Sequence, residues 1–169
     1  MIARNVMNKI LLKGDKILDL GCRDGIFNTK EDQEIVGVDI VNKELPHYNK
    51  FIQHNLDTGL PKNIGFFDMV IAKDILEHLY KPIDLLKEIH SIMIEDGILM
   101  VKVPDYRSKN AWEDYTHIRP YNKGSICQLL TDSGFKVEKV VRLGGYFFPK
   151  LINQGFSWLV IGRKYNGDC

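Results

Sequence analysis

Two aspartates flanking a glycine turn carry the first chemical signal in this chain. Asp19 lies in the apolar run Lys16-Ile-Leu-Asp-Leu20, two residues before Gly21-Cys-Arg-Asp-Gly25. That turn reads G-x-x-x-G and lacks the G-x-G-x-x-G spacing by which a backbone hugs a pyrophosphate. A carboxylate beside it repels a diphosphate and favours a cationic ligand group. Asp39 follows twenty residues later, at the end of Glu34-Ile-Val-Gly-Val-Asp-Ile40, where a carboxylate can accept both hydrogen bonds from ribose hydroxyls. A ribose joined to a cation points to S-adenosylmethionine, whose ammonium and sulfonium groups are both positive.

A second group of chemically able residues lies in the long stretch from Asp105 to Gly124. His117 is the candidate general base, needed only where an acceptor carries a proton at neutral pH, and Asp114 or Tyr115 could orient its ring. The plainer reading is that His117 and Arg119 brace the loop. Trp112, Tyr115 and Tyr121, with Tyr146, Phe147 and Phe148 further on, could line an apolar acceptor pocket, although Phe147 and Phe148 read better as core or as a dimer patch. Trp112, Tyr115, Arg119 and Tyr146 form the substrate-binding set.

These residues need a frame that brings distant segments to one edge. Apolar spacing predicts a short helix over Ile2 to Leu12, within an N-terminal segment of residues 1–14, and strands at Lys16–Leu20, Glu34–Ile40, Lys50–His54, Asp68–Ala72, Ile98–Val103, Phe135–Leu143 and Phe156–Gly162. Pro82 opens a helix carried by Ile83, Leu86, Ile89 and Met93, with Gly97 as its expected cap, and Ser125 to Ser133 forms another before Gly134. Strand and helix alternate, which predicts an α/β fold with a doubly wound, mostly parallel seven-stranded sheet whose last strand is antiparallel. In such a sheet ligands bind outside the carboxyl ends of the strands.

Composition narrows the classes. With 169 residues, 44% of them hydrophobic, the chain fits one domain with its own core, spanning residues 1–169. Lys plus Arg number 23 against 22 Asp plus Glu, a net charge of +1, which disfavours a nucleic-acid or membrane-surface binder. No apolar run is long enough to span a bilayer, so a cytoplasmic location is expected. Cys22, Cys127 and Cys169 are widely spaced and read as reduced thiols, the first two as small buried fillers.

Taken jointly, the motifs resemble the class I S-adenosylmethionine-dependent methyltransferases, and more closely their small type 11 (ubiquinone-biosynthesis-like) group with its Rossmann-like fold. The resemblance runs from about Ile17 to Leu143. It rests on Leu18-Asp-Leu-Gly-Cys-Arg-Asp-Gly25, Gly37-Val-Asp-Ile40, Asn55-Leu-Asp57, Phe67 to Ala72, Asp74-Ile-Leu-Glu-His-Leu79, Val103-Pro-Asp105, Thr116-His-Ile-Arg-Pro120 and Gly134-Phe135. It implies that the methionine part of S-adenosylmethionine meets Asp19, Gly21 and the backbone at Ala72 and Lys73. The ribose meets Asp39, Ile40 lies beside the adenine, and the adenine amino group meets Asp57 near the Leu56 backbone. Cys22, Gly25 and Asn55 complete the cofactor-binding set.

Three departures shape the expectations. Arg23 replaces the middle glycine of the usual D-x-G-x-G-x-G, so its side chain must turn away from the ligand. The segment from Gly25 to Gly37 is short, which trims the first helix. Few residues precede the first strand, so the site is either open or closed by a homodimer mate or another partner. The expected activity is methyl transfer to an oxygen or nitrogen of a small-molecule acceptor. Two alternatives stand beside it: a noncatalytic S-adenosylmethionine-binding subunit that needs a partner, and a metal-assisted RNA 2′-O-methyltransferase. The second follows from a resemblance of Asp74, Glu77, His78 and His117 to the metal cluster of small-RNA 2′-O-methyltransferases, yet the same Leu-Glu-His-Leu occurs in relatives without metal, and no metal is assigned.

Overall fold

The runs that read as strands lie side by side in the computed structural model, which describes residues 7, 9–23, 25, 31–42, 48–144 and 155–165. Strands β1 (Lys16–Leu20), β2 (Glu34–Asp39), β3 (Lys50–Gln53), β4 (Phe67–Lys73), β5 (Met93–Pro104), β6 (Phe135–Leu143) and β7 (Ser157–Lys164) form one sheet. Its order is β3-β2-β1-β4-β5-β7-β6. Neighbours from β3 to β5 pair in parallel, and β7 runs antiparallel to both β5 and β6. The seven-stranded, mostly parallel sheet and the antiparallel last strand are as the sequence pattern predicts.

Alternation within each strand builds two cores. Leu18, Leu20, Val70, Ala72, Leu99 and Val101 share one, whereas Ile17, Met69, Ile71 and Met100 share the other, because successive side chains point to opposite faces. Beyond β4 the described helices are α1 (Pro82–Ile92), α2 (Asn110–Glu113) and α3 (Lys123–Asp132). Leu85, Leu86 and Ile89 of α1 and Ile126 and Leu130 of α3 cover the first face. Leu11, with Met7 and Ile10, covers the second from a segment that is helical at residues 7 and 9–11. Each fully buried Leu or Ile contributes about 1.5–3 kcal/mol, so covering both faces is what holds a parallel sheet together. Among the described residues no helix is long and apolar enough to cross a membrane.

Several expectations need correction. The α1 helix stops at Ile92, and Gly97 is not its cap: Met93 already takes an extended backbone (φ −90, ψ 145) and pairs with Phe67 in the sheet. The left-handed turn falls on Asp96 (φ 58), and Gly97 is wanted for space, since a Cβ there would stand 2.9 Å from the Ile94 carbonyl oxygen. β2 ends at Asp39 and β3 at Gln53, so Ile40 and His54 lie just beyond their strands. Cys22 is buried as expected, but Cys127 is only half-buried. The Asp105–Gly124 stretch contains the short helix α2 and the start of α3. Most of the expected N-terminal helix, the trimmed helix after Gly25, Cys169, and Tyr146, Phe147 and Phe148 lie wholly or largely outside the described residues.

Candidate active site

Strand order reverses between β1 and β4, so the crossovers leave in opposite directions and open a crevice beyond their carboxyl ends. A cavity of about 690 Å³ lies there, within the range of small-molecule sites. Six residues of the expected cofactor-binding set share its wall: Gly21, Asp39, Ile40, Asn55, Leu56 and Asp57. Gly21 turns the chain out of β1 at φ 66, and a Cβ would crowd Ile75 at 3.0 Å, so the turn needs glycine twice over.

Backbone amides lock Asp39 in place. Its Oδ2 accepts from Arg23 N and its Oδ1 from Val41 N, both at 2.9 Å. Each oxygen keeps a further lone pair for a ligand hydroxyl. Ile40 beside it is 61% exposed on the cavity wall, an apolar surface suited to a flat ring. Asn55 caps the single 3-10 turn Leu56–Thr58 by accepting from Asp57 N at 3.0 Å. Asp57 in turn accepts from Tyr80 N at 3.0 Å through Oδ1, which leaves Oδ2 for a donor.

Arg23 is exposed, keeps a glycine-like backbone (φ 26) and is among the residues that line the cavity. The remaining expected residues flank this space without lining it: Asp19, Cys22, Gly25, Ala72 and Lys73. Asp19 is buried, and its Oδ2 accepts from the Tyr48 hydroxyl at 2.5 Å. Burial pushes its pKa up to about 6, against the opposing pull of Tyr48 and Lys73. Ala72 is fully buried opposite Leu20 in the sheet.

A second cavity of about 630 Å³ adjoins the first and shares Arg23, Asp74, His78 and Tyr115 with it. The chain builds it where β4 ends. Asp74 takes a left-handed turn (φ 53), and both its oxygens accept from Lys102 Nζ at 2.6 Å. One 3-10 turn, Leu76–His78, then points Glu77 inward and His78 towards the cavity. The loop from β5 docks on that turn: Ile118 N and Arg119 N both donate to the Glu77 carbonyl, at 2.9 and 3.2 Å. Tyr121 secures the far end, its hydroxyl donating to the Leu76 carbonyl at 3.3 Å. This docking carries His117 to His78, with ring centroids 4.6 Å apart and edge to face.

His117 Nε2 stands 3.9 Å from Asp114 Oδ2, too far for a hydrogen bond, and Nδ1 is buried without a partner. Tyr115 is 96% exposed on both cavity rims and does not orient the ring. Glu77 is buried, and neither of its carboxylate oxygens has a hydrogen-bond partner. Burial pushes its pKa up to about 8, with Asp74 and Asp114 adding to the shift and Lys102 opposing it. Trp112 is exposed, donates Nε1–H to the Tyr106 carbonyl at 2.6 Å, and lines neither cavity; Arg119 lines neither as well.

Sequence reasoning passed over His54, Ile75, Leu79, Tyr80, Thr116 and Ile118 on the first wall. Their signal was positional: each lies within a few residues of a strand end or of His117, at the edge where ligands bind.

A methyltransferase-domain family profile matches residues 2–140, and the chain belongs to that family, with the fold of the class I S-adenosylmethionine-dependent methyltransferases. A probable S-adenosylmethionine-dependent methyltransferase of Mycolicibacterium smegmatis is 23% identical over 137 residues, covering 74% of this chain and 53% of the relative. The chain thus spans about half the length of that curated relative. Among solved structures, the 1,6-didemethyltoxoflavin-N1-methyltransferase of Burkholderia thailandensis, with bound 1,6-didemethyltoxoflavin and S-adenosylhomocysteine, has a TM-score of 0.72 at 16% identity, covering 97% of this chain and 79% of that one. The N-methyltransferase NodS of Bradyrhizobium japonicum, in complex with S-adenosylhomocysteine, has a TM-score of 0.71 at 12% identity, covering 96% and 86%.

Proposed function

We propose that this protein binds S-adenosylmethionine in the first cavity and transfers its methyl group to an oxygen or nitrogen of a small molecule held in the second. The observation that carries the reading is the shared wall of Arg23, Asp74, His78 and Tyr115, which brings a ribose-competent carboxylate pocket and an acceptor-sized cavity to one boundary. The residues present fit most of the cofactor. Asp39 offers two fixed acceptors for ribose hydroxyls, Ile40 an apolar face for adenine, and Asp57 Oδ2 an acceptor for the adenine amino group. The methionine end fits less directly, because Asp19 is turned to Tyr48 and lies off the cavity.

Bound S-adenosylmethionine supplies an electrophilic methyl group on a sulfonium. The chain's own contribution is to align an acceptor lone pair in line with that methyl group and to exclude water. No base is needed for a neutral amine or ring nitrogen. For a hydroxyl acceptor, His117 Nδ1 is a buried, unpartnered ring nitrogen at the cavity able to take the proton.

The test pairs calorimetric titration of S-adenosylhomocysteine with a labelled-methyl transfer assay across a metabolite panel. Micromolar binding together with transfer to one acceptor class supports the reading. Tight binding without transfer to any acceptor favours the noncatalytic subunit, and absence of binding overturns the cofactor assignment.

A further inference from the structure

Glu77 lines the second cavity and is only 1% exposed, yet neither of its carboxylate oxygens has a hydrogen-bond partner, and the same holds for His117 Nδ1 on that wall. Buried polar groups are nearly always satisfied, so the three atoms call for a ligand. An ionised carboxylate only accepts, and so does Nδ1 when the imidazole proton sits on Nε2, the nitrogen facing Asp114. The missing partner is therefore a donor of several hydrogens. The fixed cations of this cavity do not supply it. Lys102 Nζ is held by both oxygens of Asp74 at 2.6 Å, and Arg23 lies on the wall shared with the first cavity. Two further carboxylates line the space, Glu113 and Asp114, and hydrogen bonds from the Thr116 hydroxyl and amide hold Asp114 below the usual carboxylate range. Negative charge thus prevails on the side away from the first cavity, where it concentrates cations and repels carboxylates and phosphates.

We propose that the methyl acceptor is a primary amine that enters the second cavity as its ammonium ion, and that Glu77 is the residue that selects it and takes its proton. The proposal rests on the function proposed above and narrows it to nitrogen. A primary ammonium carries three N–H donors, which matches two Glu77 oxygens and one His117 nitrogen; a hydroxyl carries one and would leave two of the three atoms unpaired. The pair of residues is close enough to share one ligand atom, with a Glu77 oxygen within 4.8 Å of a His117 nitrogen. A buried ion pair is costly, and proton transfer from nitrogen to Glu77 converts it into a neutral amine beside a neutral carboxyl group. Burial pushes the Glu77 pKa up to about 8, close to the operating pH at which a general base works best. The freed lone pair then turns to the methyl donor while the two remaining N–H groups stay on Glu77 and His117. The C–N bond forms as the C–S bond breaks, and the electron pair of the C–S bond stays on sulfur. The product leaves as an N-methylammonium ion, and Glu77 returns its proton to water.

The test is labelled-methyl transfer, in buffer containing EDTA, to a pool of primary amines and to a pool of alcohols and phenols with the same carbon skeletons, with S-adenosylhomocysteine binding measured in parallel by calorimetry. Label should enter the amine pool and sit on nitrogen by mass spectrometry, with kcat/KM at least about 100-fold above that of the matched alcohol, because a site built for several donors rejects an analogue that lacks them. Glu77→Gln keeps the shape and one acceptor oxygen but takes no proton, so kcat for the amine should fall by about 100-fold or more while KM changes only a few-fold. A variant that still binds S-adenosylhomocysteine is folded, and the contrast between the two pools needs no variant at all. Label on the alcohols, label on neither pool, or an unchanged kcat in Glu77→Gln overturns the proposal. Transfer to the alcohols would do so and keep the methyltransferase reading, whereas absence of S-adenosylhomocysteine binding removes that reading as well.

Discussion

Asp39 holds two backbone amides while keeping lone pairs on the cavity side, so its geometry is set before any ligand arrives. Hydrogen bonds to a charged acceptor contribute about 1.5–3 kcal/mol each, so Asp39→Ala should weaken S-adenosylhomocysteine binding by about 100-fold in calorimetry. An affinity within a few-fold of wild type would remove the ribose from this carboxylate. Asp19 makes a different prediction, through pH. Its folded pKa of about 6 lies above the ordinary 3.8, because burial penalises the charge. The folded state therefore binds more protons than the unfolded one between these values, and this group's contribution to stability is lost as pH rises through that window. Asp19→Asn keeps an acceptor for Tyr48 but carries no charge. Urea unfolding should show the variant gaining on wild type between about pH 4 and 7, by on the order of 2–3 kcal/mol. A difference independent of pH would mean that Asp19 is not desolvated as described.

Element by element, β2 and the loop after β5 decide the site. Gly37 in β2 leaves room for the Tyr48 ring, since a Cβ would meet its Cδ1 at 2.7 Å and Cys22 Sγ at 2.9 Å. Gly37→Ala should cost about 1–3 kcal/mol by overcrowding, measured by denaturant titration. A neutral substitution would show that Tyr48 is free to step aside. Strands were legible in the sequence because period-2 and continuous apolar runs, as in Lys16–Leu20 and Phe135–Leu143, report burial on one or both faces. The end of α1 was misread because glycine usually caps helices, whereas here chain pairing at Met93 ends the helix and Asp96 takes the turn. Asp39 was read from its place at a strand end, and Ile40 and Asp57 from the family resemblance; all three line the first cavity. The meeting of Glu77 with His117 was anticipated only through a resemblance, since it depends on Ile118 and Arg119 docking their amides on one carbonyl, a contact across forty residues that no local pattern encodes.

At the scale of the whole molecule, the sheet places two adjoining cavities at one edge and leaves apolar side chains around them in water. Ile40, Val41, Tyr80, Trp112 and Tyr115 are each more than 60% exposed. Ile40, Tyr80 and Tyr115 line the first cavity, so a bound cofactor should cover part of this surface and stabilise the fold by mass action. At S-adenosylhomocysteine about 100-fold above its dissociation constant the melting temperature should rise by about 5–10 °C, and NAD should give no comparable rise. Equal shifts with both ligands would contradict the discrimination against a diphosphate. The most direct measurement of the central claim is a crystal structure of the S-adenosylhomocysteine complex. The account predicts ribose hydroxyls on the Asp39 carboxylate, adenine between Ile40 and Leu79, and the sulfur at the boundary marked by Arg23, Asp74, His78 and Tyr115. A ligand seated elsewhere, or with its sulfur facing away from the second cavity, would contradict it.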